Sequence, residues 1–123
     1  MAKTWAIIFG IVFVVVSLLA FIQNPIVGRS GFFVTDTIHN IVHLLFGIVL
    51  LIAAGAGEAA SSLWLKISGI IYLVLFIDGL FQPTLLLGFV TASPSDTWLH
   101  LVLGIALLIA GYAGKPKMES MAM

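Results

Sequence analysis

The chain has 123 residues, of which 62% are hydrophobic and 8% charged, with five basic and five acidic side chains and no cysteine. Soluble domains carry roughly 25% charged residues and disordered chains are rich in charge, so both classes are excluded and a membrane protein remains. Zero net charge leaves no basic patch for nucleic acid, and the absence of thiols excludes disulfides, iron–sulfur clusters and thiolate zinc sites.

A membrane-spanning helix needs ~20 largely apolar residues, and four segments qualify. The first runs from Trp5 to Gln23 and stops before Asn24-Pro25. Its apolar run after Lys3 is longer than the ~7–15 residues of a signal-peptide core, so it reads as a retained span. The second covers residues 36–56, the third 63–81 with Gln82-Pro83 closing it, and the fourth 96–113. The connection from Gly57 to Ser62 is short, which predicts an antiparallel hairpin between the second and third spans. Lys3, Lys66, Lys115 and Lys117 fall on one side and Arg29 on the other. The positive-inside rule then places both termini inside. Trp5, Trp64 and Tyr112 fall near the inner interface and Trp98 near the outer one, as aromatic belts do.

The chain also repeats itself. The run from His43 to Ala53 aligns with the run from His100 to Ala110, and the match extends to Gly57 and Gly114. Trp5, Gly10 and Gln23 of the first span match Trp64, Gly69 and Gln82 of the third. Both halves start on the same side, so the repeat is parallel and its pseudo-twofold axis runs along the membrane normal. The expected fold is all-α: an integral membrane four-helix bundle, one domain over residues 1–123, built from two parallel-repeat helical hairpins. No strand is expected.

Ionisable residues inside a span are costly and point to function by default. Asp36, His39, Asn40, His43 and Gly47 form one stripe on the second span, and Asp96, His100 and Gly104 form another on the fourth. At ~1.5 Å per residue, His43 lies ~10 Å below Asp36, and His100 lies ~6 Å below Asp96. Asp78 sits ~12 Å below the outer surface of a ~30 Å core. Asp78, His43 and His100 are therefore expected to meet in the outer half of the bundle. Asp36 and Asp96 stand where helix N-termini are expected and read as caps. Gly10, Gly47, Gly69 and Gly104 read as close helix contacts. His39, near the interface, faces either water and headgroups or the bundle. Asp78 needs a histidine, Arg29 or a proton of its own as partner.

His43 and His100 have three physical uses besides interhelical hydrogen bonding. They could be axial ligands of a haem or chlorin. His39 and His43, one turn apart, could hold a metal with His100 or Asp78. Asp and His at graded depth could pass protons, but the inner half reads as Ile, Leu, Val, Ala and Gly, with no polar path through it. Hydrolysis has no support, because Ser17, Ser61, Ser62 and Ser68 are expected far in height from the histidines. The reading that follows is a non-enzymatic structural or accessory subunit with no cofactor assigned, packing with other membrane subunits or with copies of itself. A haem-, chlorin- or metal-binding protein using His43 and His100 is the alternative, and a proton or ion carrier component the weaker one.

The segment from Phe33 to Gly47, with Asp36, His39, Asn40, His43 and Gly47 at fixed offsets, resembles the signature of a family of small bacterial membrane proteins, the domain of unknown function numbered 4383. Asp96-Thr97-Trp98-Leu99-His100, followed by Gly104, resembles that family's second signature, which often reads Asp-Asn where this chain has Asp96-Thr97. The resemblance covers the first span through Gly114. It implies four spans and a multi-pass place in a bacterial inner membrane, and it brings no activity with it.

Overall fold

The computed structural model describes residues 1–82, 84–86 and 90–113; Pro83, Gly114, Lys115 and Lys117 lie outside the described residues. Four helices, α1 (Ala2–Leu19), α2 (Thr37–Ala56), α3 (Glu58–Phe81) and α4 (Pro94–Ala113), form an all-α bundle. Each is long and apolar enough to cross a membrane. Between them lie two minimal ladders that the sequence does not announce. β1 (Val27–Gly28) pairs in parallel with β2 (Phe33–Val34), and β3 (Leu85–Leu86) pairs antiparallel with β4 (Val90–Thr91). Loop backbone close to a bilayer has little water to bond, so it pairs within the chain.

Helix α1 buries Ala2, Ala6, Gly10, Phe13 and Ser17, a stripe with helical spacing. Ile8, Ile11 and Val15 on the other faces are exposed, which suits lipid. The helix stops at Leu19 rather than running to Gln23. The Asn24 carboxamide explains this: its nitrogen donates to the Leu19 carbonyl at 2.9 Å, and its oxygen accepts from the Val27 N–H at 2.9 Å. The chain folds back over the helix end, and Gly28, at φ 124°, takes a conformation that side chains rarely adopt.

The turn between α2 and α3 is one residue long. Gly57, at φ 122°, ends one helix and starts the next. Residues 58–62, expected in the connection, are helical instead. Their polar groups find partners within the bundle: the Ser61 hydroxyl donates to the Gly57 carbonyl at 2.7 Å, and the Ser62 hydroxyl donates across to the Gly111 carbonyl of α4 at 2.8 Å. With Ser68 these buried serines interrupt an inner half that the sequence reading takes as wholly apolar.

Glu58 has a second task that its sequence position hides. Its carboxylate accepts from the backbone N–H groups of Ala2 at 2.6 Å and Lys3 at 3.1 Å, and from the terminal ammonium at 3.0 Å. These are first-turn donors of α1, which otherwise has no side-chain cap, and a carboxylate there also complements the helix dipole. Glu58→Ala is expected to destabilise the bundle by about 1 kcal/mol, the usual worth of a cap. Thermal unfolding in detergent micelles measures this, and hydrogen exchange should locate the loss at residues 2–6.

The helices pack chiefly as α1 with α2 and α3 with α4. Both pairs close through facing glycines. A Cβ on Gly47 would lie 2.9 Å from the Gly10 carbonyl oxygen, and one on Gly69 would lie 2.9 Å from the Gly104 carbonyl oxygen. Small residues allow this approach, and lipid-embedded helices gain their contact energy from it. Leu50, Leu65, Tyr72 and Leu107 fill the core between the pairs.

Candidate functional site

The start of α2 is set by Asp36, whose side chain accepts from the His39 N–H at 2.8 Å. That is the expected cap. The start of α4 is built differently. The helix opens at Pro94, a residue suited to the first helical position. Asp96 is therefore already inside it. Its carboxylate reaches back to accept from the Ser93 N–H at 2.8 Å and the Ser93 hydroxyl at 3.1 Å, as the third-position acid of a capping box does. The helix begins earlier than expected because Ser93-Pro94 supplies a stronger start signal than Asp96 alone. The Ser95 hydroxyl then donates to the Phe32 carbonyl at 2.7 Å, tying α4 to the loop before α2.

These two starts aim three imidazoles at one point. His39, His43 and His100 each offer a nitrogen, and these atoms all lie within 4.8 Å of one another. Ring centroids are 4.6 Å apart for His39 and His43, 6.2 Å for His39 and His100, and 6.3 Å for His43 and His100. His39 is only 2% exposed; it faces the bundle, not water or headgroups. His100 is fully buried, and neither of its ring nitrogens has a hydrogen-bond partner. Asp96, 2% exposed, lies close enough to His39 for their charges to interact.

The expected meeting of Asp78 with His43 and His100 does not occur. Asp78 is half-buried and accepts from the Gln82 side chain at 3.2 Å on its own helix, and it is not among the converging ligands. Helix α3 contributes Tyr72 instead, fully buried, with its ring 5.3 Å from His100 and 5.9 Å from His43. At 3.6 residues per turn, Asp78 lies about 120° round the helix from Tyr72, so the two cannot share one target. The Tyr72 hydroxyl has no hydrogen-bond partner. Phe13 of α1 stacks on Tyr72 at 5.7 Å and meets His43 edge-on at 5.9 Å, closing the site from below.

Sequence reasoning does not single out Tyr72 and Phe13 as site residues. Tyr72 carried a usable signal: a phenol inside an apolar span, one turn from Ser68. Ser17 also proves closer than expected. It lines the same cavity as His43 and Asp96, although its hydroxyl is bonded to the Phe13 carbonyl of its own helix. It has no histidine to activate it, so nucleophilic chemistry gains nothing.

Chemically, three imidazoles with one nearby carboxylate make a nitrogen donor set. Nitrogens bound tetrahedrally to one zinc-sized ion at ~2.0–2.1 Å lie ~3.4 Å apart, so the widest pair of this group would have to close by about 1.4 Å to hold an ion. A flat macrocycle fits less well. Its plane between His43 and His100 would pass through the space His39 occupies, given the centroid distances above.

No curated protein and no solved structure matches the chain. The sequence model of one family, described as a domain of unknown function (DUF4383), matches residues 3–113. With nearly the whole described chain inside that match, the protein belongs to the DUF4383 family.

Proposed function

We propose that this small multi-pass membrane protein holds one divalent first-row transition-metal ion among His39, His43 and His100. The observation that carries the reading is the convergence of three imidazole nitrogens within 4.8 Å at a buried point. Imidazole donors suit zinc, copper, nickel and iron(II). Three protein ligands leave a fourth position open, as in zinc sites that bind water or a substrate. Asp96, whose charge acts on His39, would offset part of the ion's charge in a low-dielectric setting. The buried His100 nitrogens need a partner, and a metal would supply one.

The two hairpins further read as copies. Phe13 and Tyr72 share the offset that relates Gly10 to Gly69, and Leu50 and Leu107 share the one that relates His43 to His100. The same offset sets Asp96 in α4 where α2 has His39. The copies have thus diverged at the site, one giving a ligand and the other its carboxylate. Lys3 and Lys66 at the Gly57 end, with Arg29 at the other, support termini on the inner side of an inner membrane. The outward faces are apolar, as an accessory subunit's would be, but lipid satisfies such faces equally. Metal holding is what the geometry favours.

The test is a Co²⁺ titration of EDTA-treated protein in mild detergent, followed by absorption and elemental analysis. One equivalent per chain with tetrahedral ligand-field bands is expected. A spectrum unchanged from that of free cobalt refutes the reading.

A further inference from the structure

A cavity of about 400 Å³ lies at the Arg29 end of the bundle, between the end of α1 and the start of α2. The turn at Gly28 builds one wall. Gly28 folds back so closely on α1 that a Cβ there would lie 2.8 Å from the Ala20 carbonyl oxygen, and the Gly31 N–H donates to the Gly28 carbonyl at 3.2 Å. Arg29 and Ser30 therefore stand at the tip of a tight turn that borders the cavity. Asn24 is a fixed part of the wall, because backbone groups take both ends of its carboxamide. Thr37 and Asn40 line the cavity from the first turns of α2.

Two of these side chains lack partners. The Arg29 guanidinium forms no ion pair and no hydrogen bond among the described residues. Asn40 is 5% exposed, and its carboxamide makes no hydrogen bond among them either. That carboxamide is not sealed in as the Thr35 hydroxyl is. It keeps accessible surface, on the wall that this cavity shares with the smaller one beside His43. No acidic residue is among the described lining residues. Asp36, next to Thr37, turns its carboxylate onto the His39 N–H at 2.8 Å.

We infer that this cavity binds a phosphate group carried on a small organic body, either the head of an anionic phospholipid or a soluble phosphoester. An unpaired guanidinium matches phosphate geometry with two parallel donors. The Asn40 carboxamide and the Thr37 and Ser30 hydroxyls add neutral donors around it. The start of α2 contributes the positive end of a helix dipole at the same place. The volume falls within the ~300–1,000 Å³ of small-molecule pockets, so it has room for more than a bare ion. Ala20 and Val27 offer apolar wall to the organic body, and Phe21 and Ile22, exposed at its edge, lead from it toward lipid. The inference does not depend on a bound metal, because none of these donors is a proposed ligand.

The test uses the full chain, treated with EDTA so that metal binding has no bearing on the result. In one arm the protein is released from nanodiscs of mixed phosphatidylcholine and phosphatidylglycerol, and native mass spectrometry counts the lipid it retains. In the other, glycerol phosphate is titrated into protein held in phosphatidylcholine nanodiscs, and calorimetry follows binding. Preferential retention of one phosphatidylglycerol per chain places the phosphate on a lipid; saturable glycerol phosphate binding places it on a soluble molecule. Arg29→Gln and Asn40→Leu should each weaken the binding observed by at least about tenfold, the effect of losing one hydrogen bond to a charged group. Lys3→Gln removes the same charge at the opposite end and should change nothing. Unchanged melting shows that the variants fold. Absence of preference and of binding in both arms overturns the inference. So does an Arg29→Gln or Asn40→Leu protein that binds as wild type does, or a Lys3→Gln protein that loses as much as Arg29→Gln.

Discussion

Replacing His100 with leucine should abolish cobalt binding and at the same time raise the unfolding temperature of the metal-free protein. The two effects have one cause. Neither imidazole nitrogen of His100 has a hydrogen-bond partner, and the ring is fully buried. An unsatisfied buried polar group costs roughly 1–3 kcal/mol, and leucine, of similar size, removes that cost. A histidine kept for folding would behave oppositely, because its loss would destabilise. Metal affinity should fall by more than the roughly 10–100-fold typical of losing an outer carboxylate, since a direct ligand is gone. Asp96→Asn should fall within that range. Asp78→Asn should leave affinity unchanged, because Asp78 is not among the converging ligands. Cobalt titrations and thermal melts on the same three variants decide the matter. A His100→Leu protein that melts lower and binds cobalt as before would show that the ring serves packing alone.

The second large effect separates two glycines of one helix. A Cβ on Gly47 would stand 2.9 Å from the Gly10 carbonyl oxygen and 3.0 Å from the Val14 backbone nitrogen, whereas one on Gly55 would meet nothing within 4 Å. Backbone cannot step aside as a side-chain tip can, so Gly47→Ala must push α1 away from α2. Overpacking of this kind costs about 1–3 kcal/mol. Gly55→Ala adds no clash and removes a flexible position from a helix, so it should stabilise by up to about 1 kcal/mol. One methyl group, placed at two positions in α2, should therefore move stability in opposite directions. Unfolding in mixed micelles measures both. Separating α1 from α2 also moves Phe13 relative to His43, so Gly47→Ala should weaken cobalt binding and Gly55→Ala should not.

Much of this architecture was legible in the residues. Four apolar runs and ten charges leave few folds open, and the glycines that close the helix pairs stood out because their spacing recurs in both halves. The convergence of His43 and His100 was legible for the same reason. What the sequence hid were details that depend on helix phase. Asp78 was placed by height alone, and height does not say which way a side chain points; Tyr72, about 120° away, takes the place expected for it. His39 is ambiguous in sequence because a position near a helix start can face in or out, and contacts such as that of Ser95 with Phe32, which tie α4 to the loop before α2, cannot be read from the residues. Glu58 was unreadable as a cap for α1, since its partners are more than fifty residues away in sequence.

The single-residue turn at Gly57 leaves no slack in the hairpin. Where α2 and α3 are joined so tightly, any residue gained or lost near the start of α3 would pass along the helix as a rotation of about 100° per residue. Such a rotation would carry the phenol of Tyr72 off the imidazoles without touching a single ligand. Length at this joint is thus under the same constraint as residue identity at the site itself.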